Sequence, residues 1–241
     1  RDLAEDLDAP VEAVALGHNL HDELQVLGDF GCSRVYSVDH PGLAHFTSLP
    51  YAKTIAWVIE KTSPQICLFG ATTTGRDLAP RVASQLQCGL TADCTDLQIG
   101  EYKLKGRVFD KTLLQIRPAF GGNIIATIVS PESRPSMATV REGVMPKKTV
   151  SESKQLEIID EPCPLGDEDF VTEVLDVVRE EKAVDLKAAK IIVSAGMGAA
   201  SPEALALVRQ LASVLGGVVG ASRPMVDSGL LVKDHQVGQT G

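Results

Sequence analysis

The sequence predicts an α/β protein: an N-terminal Rossmann-like domain built on a parallel sheet, then a second, incomplete α/β domain. Three observations carry this. Helix-like and strand-like segments alternate through residues 1–100. The wholly apolar run Ile66-Cys67-Leu68-Phe69 stops at Gly70, as a buried parallel strand does. From Lys190 onward a strand, a glycine turn, a capped helix and another strand follow with short connections, which is the parallel crossover of a nucleotide-binding domain.

Taken in order, residues 1–7 read as an amphipathic helix, 11–16 as a strand, 20–27 as one or two helical turns and 34–39 as a strand. Residues 51–61 place Ile55, Ala56, Val58 and Ile59 at helical spacing. The strand 66–69 and a helix over 77–86 follow. Beyond residue 90 the pattern changes to strands with little helix between them, at 103–109, 112–116 and 123–129, with Phe120-Gly121-Gly122-Asn123 as a turn. This suits a sheet edge or an antiparallel extension. The N-terminal domain is assigned to 1–145. Residues 146–187 are charged and interrupted by Pro146, Pro162 and Pro164, and read as a connector with one short strand at 156–159. The second domain takes 188–241, with a strand at 190–193. There Ser201-Pro202-Glu203 starts a helix: Ser as N-cap, Pro at the first helical position, Glu in the first turn. Leu205, Val208, Leu211, Ala212 and Leu215 form its apolar face, Gly216-Gly217 ends it, and 218–221 is the next strand.

Composition narrows the function classes. With 44% apolar and 23% charged residues the chain can bury a core, which excludes disorder and a disulfide scaffold. No apolar run nears the ~20 residues of a membrane span. A net charge of −9 and 4% aromatics argue against nucleic acid as a partner. The acidic start Arg1-Asp2-Leu3-Ala4-Glu5-Asp6 has no signal-peptide pattern. Cysteines 32, 67, 88, 94 and 163 have no C-x-x-C spacing and read as reduced thiols, with no metal site expected. Both ends look cut: the first domain starts in a helix, and two strands with one helix cannot cover a sheet.

Chemistry concentrates in the second domain. Gly196-Met197-Gly198 before the Ser201 cap places backbone N–H groups where a phosphate could bind, although a tight turn without ligand has the same pattern. Ser222-Arg223 follows the second strand, at the carboxyl end where ligands bind in open α/β sheets. Such an Arg holds a phosphate, lies over a conjugated ring, or simply pairs with Asp227. Gln236-Val237-Gly238-Gln239-Thr240-Gly241 is rich in neutral donors and acceptors, suited to a flavin ring edge or to an ordinary polar turn. No catalytic constellation is visible: His18, His21, His40, His45 and His235 are scattered, and no Walker motif occurs. Asp93 and Asp96 read as capping or interface groups.

Three motif blocks resemble the alpha subunit of electron-transfer flavoprotein, a family shared with FixB-type proteins. The first is Gly70-Ala71-Thr72-Thr73-Thr74-Gly75-Arg76-Asp77-Leu78-Ala79-Pro80-Arg81 with Gly89-Leu90-Thr91-Ala92-Asp93-Cys94-Thr95. The second is Arg117-Pro118-Ala119-Phe120-Gly121-Gly122-Asn123 with Met137-Ala138-Thr139-Val140-Arg141 and Gly143-Val144-Met145. The third is Val219-Gly220-Ala221-Ser222-Arg223, then Val226-Asp227, then Gln236 to Gly241. The resemblance implies a strand and helix before Arg1 and further strands after Gly241.

It also implies a heterodimer with a beta subunit, an FAD carried on the C-terminal domain, and electron exchange with a dehydrogenase such as an acyl-CoA dehydrogenase. The location implied is the bacterial cytoplasm or a mitochondrial matrix. Carried over by motif, the FAD-binding residues are Met197, Ser222, Arg223, Gln236, Val237, Gly238, Gln239 and Thr240. Arg223 is expected by the isoalloxazine, where a cation favours the reduced ring, and the Thr240 hydroxyl at flavin N5. The first turn usually reads Gly-Arg-Gly in this family, and Met197 replaces that Arg. Some members are electron-bifurcating, splitting electron pairs between two acceptors in complexes with NADH and ferredoxin. A subunit that has lost its flavin is a third reading.

Overall fold

The computed structural model describes residues 1–119, 124–150, 156–178, 183–186 and 188–238. The turn expected at 120–123 and part of the expected connector lie outside them. By internal contacts the chain divides into Arg1–Val174 and Leu175–Gly241.

In the first unit the order is α1 (Asp2–Leu7), β1 (Glu12–Gly17), α2 (His21–Leu24), β2 (Arg34–Asp39), α3 (Ser48–Thr62), β3 (Ile66–Gly70), α4 (Thr73–Gln85), β4 (Leu90–Cys94), β5 (Asp96–Leu104), β6 (Arg107–Ala119), β7 (Ile124–Ile128), β8 (Ser136–Val140) and β9 (Glu157–Asp160). Two three-stranded parallel sheets run β1-β2-β9 and β3-β8-β4. The third sheet, β5-β6-β7, is antiparallel, the extension that the mid-chain pattern predicts. Helices α3 and α4 cover one sheet face through Ala52, Ile59, Leu78, Val82 and Ala83, packed with Met137 of β8.

Local chemistry fixes the boundaries. Helix α4 begins at Thr73, before the expected residue 77, because the Thr72 hydroxyl accepts from Gly75 N–H (3.1 Å) and closes the first turn. A Cβ on Gly75 would lie 1.9 Å from the Gly70 carbonyl oxygen, so only glycine lets the helix start this close to the end of β3. The strand expected over 103–109 is two strands, because Lys105 (φ 49) and Gly106 (φ 79) form a left-handed two-residue hairpin turn between β5 and β6. Strands β4 and β8, which the apolar pattern does not announce, both form. In β8, Ser136, Met137, Ala138 and Thr139 are all buried, as the middle strand of a parallel sheet requires.

The strand expected at 156–159 forms as β9 and pairs with β2, 123 residues back in sequence at Arg34–Glu157. The Arg34 guanidinium crosses all three strands, donating to Glu12 (2.9 Å) and Glu157 (2.8 Å). Beyond β9, Lys61 holds Glu161 (2.7 Å), Lys53 holds Asp169 (2.7 Å), and Phe170 stacks on His40 at 5.3 Å.

The second unit contains β10 (Ile192–Ala195), α5 (Pro202–Val214), β11 (Val218–Ala221) and α6 (Arg223–Asp227). β10 and β11 are parallel neighbours, with Ala195 opposite Ala221. The Ser201 cap forms as the sequence predicts, its hydroxyl accepting from Ala204 N–H at 3.1 Å. Of the apolar face expected on α5, Leu205 and Ala212 are buried, while Leu211 and Leu215 are half exposed. Two strands give this helix a narrow surface, and only its inner edge reaches the cluster of Ala195, Ala221, Met225 and Leu231.

Candidate functional site

The carboxyl ends of β10 and β11 bring three segments together. After Ala195 the chain enters the Gly196-Met197-Gly198 turn, a 3-10 turn over Met197–Ala199. After Ala221, Ser222 N–H donates back to the Ala195 carbonyl (2.9 Å), which locks the two strand ends side by side. The third segment arrives from the 3-10 turn Lys233–His235: Gln236 bridges Ala221, and Val237 N–H donates to the Ala221 carbonyl (2.8 Å). Residues 40 positions apart along the chain thus share one edge.

Two further residues hold this third segment. His235 Nδ1 lies 2.7 Å from the Val219 carbonyl, a contact that puts the proton on Nδ1. Gly220 lies under Val237. A Cβ there would meet Val237 Cγ2 at 2.7 Å, Ile192 Cγ2 at 2.8 Å and Ser194 Oγ at 2.8 Å. Neither role is announced by residue type, although a glycine inside a strand signals close approach of another segment. Gln236 Nε2 donates to the Gly238 carbonyl (2.9 Å), and Gly238 takes the left-handed conformation (φ 81) that shapes the loop.

The expected site residues therefore fall as follows. Met197, Ser222, Arg223, Gln236, Val237 and Gly238 lie on the three converging segments. Gln239 and Thr240 lie outside the described residues. Arg223 donates to Asp227 (3.3 Å) and stays half exposed, so the ion pair weighed from the sequence exists and leaves the guanidinium accessible. Met197 is also half exposed.

The Ser222 side chain is the anomaly. Ser222 is the N-cap residue of α6, yet its hydroxyl makes no cap bond. The Oγ atom is buried without a hydrogen-bond partner among the described residues. Such an atom normally finds a partner, because burying an unpaired hydroxyl costs about 1–3 kcal/mol. Gly196 and Gly198, by contrast, have open space where a side chain would stand. A polar atom lacking a partner, an accessible cation and bare backbone suit a bound group carrying acceptors.

In the first unit Asp93 and Asp96, expected from the sequence as capping or interface groups, both bond within the chain. Asp93 sits at a bulge in β4 with φ 63 and accepts from both Arg141 (2.6 Å) and Arg76 (3.3 Å). The Arg141 guanidinium holds its carboxyl below the usual carboxylate range. Asp96 accepts from Leu97 N–H (2.8 Å) and Gln98 (2.7 Å). His18 meets Asp39 (2.9 Å). Among the described residues no group of three or more His, Cys, Asp or Glu could hold a metal ion. Among those residues, too, no helix is long and apolar enough to cross a membrane.

Comparison with known proteins matches both units. A family model described as electron transfer flavoprotein domain matches residues 1–164, and one described as electron transfer flavoprotein FAD-binding domain matches 185–241. An electron transfer flavoprotein subunit alpha from Thermoanaerobacterium thermosaccharolyticum is 46% identical over 242 residues, covering 100% of this chain and 71% of that protein. The acryloyl-CoA reductase electron transfer subunit beta of Anaerotignum propionicum is 41% identical, again over 100% of this chain and 71% of its own length. The lactate dehydrogenase (NAD(+),ferredoxin) subunit LctC of Acetobacterium woodii is 37% identical over 100% of this chain and 56% of its own.

Proposed function

The chain belongs to the electron transfer flavoprotein alpha-subunit family, and on that premise we propose that it binds FAD at the carboxyl ends of β10 and β11 and carries electrons as one half of a heterodimer with a beta subunit. The observation that carries the reading is the Ser222 hydroxyl, buried and unpartnered beside Arg223 where three segments meet.

The residues present fit such a cofactor. Bound FAD supplies the reversible redox chemistry. Ser222 offers its hydroxyl as donor or acceptor to a ring or chain oxygen. Arg223 brings positive charge to the same edge, favouring the more negatively charged state of whatever it faces and so raising its potential. Gln236, Val237 and Gly238 form a loop pinned to Ala221, and Gln239 and Thr240, the two residues that follow in sequence, complete the proposed set. Met197 brings bulk and no charge to the turn after β10, so the affinity rests more heavily on Arg223 and on backbone groups. In this reading 1–145 packs on the beta subunit, 146–187 is the connector and 188–241 carries the flavin. The partner is a dehydrogenase acting on an acyl-CoA-type substrate, and the location is the bacterial cytoplasm. The names and bacterial origins of the relatives support both.

A second reading is favoured by one relative, a subunit of an NAD(+),ferredoxin-linked lactate dehydrogenase. It makes this chain part of a bifurcating complex. Flavin stoichiometry separates the two readings. In the complex purified with its beta subunit, one FAD per heterodimer supports the simple carrier and two support bifurcation. A colourless complex that takes up no added FAD refutes both.

A further inference from the structure

The hairpin of β5 and β6 changes character halfway along. Its base belongs to the core: Leu97, Leu113 and Gln115 are buried, and the two leucines pack with Cys94 and Ala138. The register then shifts between Gly100 and Tyr102, where Asp110 and Lys111 of β6 oppose Glu101 alone. Such a bulge bends and twists the ribbon. Beyond it Tyr102 pairs with Phe109, Lys103 with Val108 and Leu104 with Arg107, and Lys105-Gly106 closes the turn. β7 pairs with β6 only over 115–119, so the tip has two strands. Among the described residues no buried cluster includes any of 101–111. A two-stranded ribbon without a packed face is marginal in water. This one nevertheless leaves Leu104 38% and Val108 54% exposed.

The tip also inverts the charge of the chain. Residues 101–111 hold Lys103, Lys105, Arg107 and Lys111 against Glu101 and Asp110, a net +2 on a protein of net −9. Two of these cations have loose partners: Lys103 meets Glu101 (2.9 Å) and Arg107 meets Glu132 (2.7 Å), with all four side chains at least half exposed. Pairs so wet contribute little and exchange readily for another carboxylate. Lys105 and Lys111 make no ion pair among the described residues. Both take the left-handed conformation, each with φ 49. Glycine or asparagine sits there at lower cost, so two lysines are kept against backbone preference. Residues paired across the strands share a face. Tyr102, Leu104, Arg107 and Phe109 therefore lie together, and the Arg107 guanidinium rests 5.0 Å from the centre of the Phe109 ring. The tip is an apolar strip edged by exposed cations.

We propose that this tip is a docking element for the acidic surface of a transient protein partner, one that presents carboxylates around an aromatic or aliphatic side chain. Charge selects the class. The interleaved Glu101, Asp110 and Glu132 repel a continuous row of phosphates, in nucleic acid or on a lipid surface, whereas a protein surface carries both signs. Size selects the lifetime. A stable interface takes about 20–30 residues a side, and the tip offers only those from 101 to 111. The contact is therefore brief, and its cations speed the encounter more than they hold the complex.

The probe is a fluorescein-labelled random copolymer of glutamate and tyrosine, titrated by anisotropy into the complex of this chain with its beta subunit. Binding is expected, and it should weaken about tenfold or more between low salt and about 0.2 M. Polyglutamate of the same length should bind at least about threefold more weakly, and Leu104→Ser should bring the copolymer down to that level. Lys103→Gln, Lys105→Gln and Lys111→Gln together should cost at least about tenfold in affinity. Lys105→Asn alone removes one charge at a position whose conformation asparagine tolerates. It should keep the melting temperature and weaken binding at least about twofold, which separates lost charge from lost fold. Absence of binding at low salt overturns the proposal, as does binding that these variants leave unchanged. Equal affinity for polyglutamate also overturns it, because the apolar strip then takes no part. Tighter binding of a DNA duplex, or of vesicles of phosphatidylcholine with phosphatidylglycerol, assigns the tip to phosphates and overturns it. So does slowed amide exchange at Leu104 and Val108 on assembly with the beta subunit, which places the tip in a permanent interface.

Discussion

Substituting Gly220 by alanine tests the packing that sets the candidate site. The added methyl starts 2.7 Å from Val237 Cγ2 and 2.8 Å from Ile192 Cγ2 and Ser194 Oγ. Carbon atoms rest at about 3.5–4.0 Å, so these neighbours must retreat by about 1 Å. Ile192 and Ser194 belong to β10, paired in register with β11, and yield little. Val237 is held by one backbone bond to Ala221 and moves most. Overpacking of this size costs about 1–3 kcal/mol. If that cost falls on the loop in the flavin-bound form, the FAD dissociation constant of the heterodimer rises by roughly 5–150-fold. Flavin fluorescence titration of the reconstituted heterodimer measures it, with thermal melts of the apo-form alongside. Adding Val237→Ala removes one of the three clashing atoms and recovers part of the loss. A G220A protein with wild-type melting temperature and FAD affinity within twofold would refute the argument that Val237 is seated on Gly220.

Four other outcomes are expected. Ser222→Ala leaves apo stability unchanged or raises it, because it removes a buried hydroxyl without a partner among the described residues, yet weakens FAD binding by about 1 kcal/mol; equal affinities would remove the central support for the cofactor site. Asp93→Asn destabilises the first unit by about 1 kcal/mol or less at pH 7, the pair with Arg141 being partly exposed. Because the folded carboxyl titrates below its unfolded value, the stability it contributes is complete above about pH 5. That contribution fades as pH falls through the folded pKa, so urea midpoints of the two proteins should converge as the pH is taken below the usual carboxylate range. Lys53→Ala frees Asp169 from its 2.7 Å ion pair and should speed proteolytic cleavage between residues 165 and 175, an effect that high salt reproduces in the parent protein. Burial pushes the Cys67 thiol up to about 12, so at pH 8 iodoacetamide should label Cys67 far more slowly than free cysteine, as peptide mass spectrometry would read.

The sequence made legible what local chemistry decides. The Ser201 cap, the Gly216 stop and the strand at 218–221 follow from residue type and spacing, and all form. The α/β alternation likewise survives in both units. What failed to show depends on distant partners. β8 reads Ser-Met-Ala-Thr-Val, too mixed to announce a strand, and is a strand because β3 and β4 flank it on either side. The first turn of α4 looks like a loop of threonines until the Gly70 carbonyl is placed against Gly75. At the site, Ser222 and Arg223 were visible as residues after a strand, and the motif resemblance singled them out. The seating of Val237 on Gly220 and the His235 contact to Val219 bring together residues 16–17 positions apart, which no window of pattern captures.

The ladder through Arg34 also sets a schedule. Glu157 closes the sheet that Glu12 and Arg34 begin, 123 residues after Arg34. At roughly 5–20 residues per second of synthesis, that interval lasts about 6–25 s. During it, β1 and β2 stand on the ribosome with one edge unclosed, and pairing across so long a loop is entropically slow even after the partner emerges. The first unit thus does not close in the order of its strands: by the time Glu157 is made, α3, β3, α4 and β8 already exist around an open edge. Nascent chains arrested before residue 157 should therefore be held by chaperones or cleaved at β2, and those arrested well past Asp169 should not.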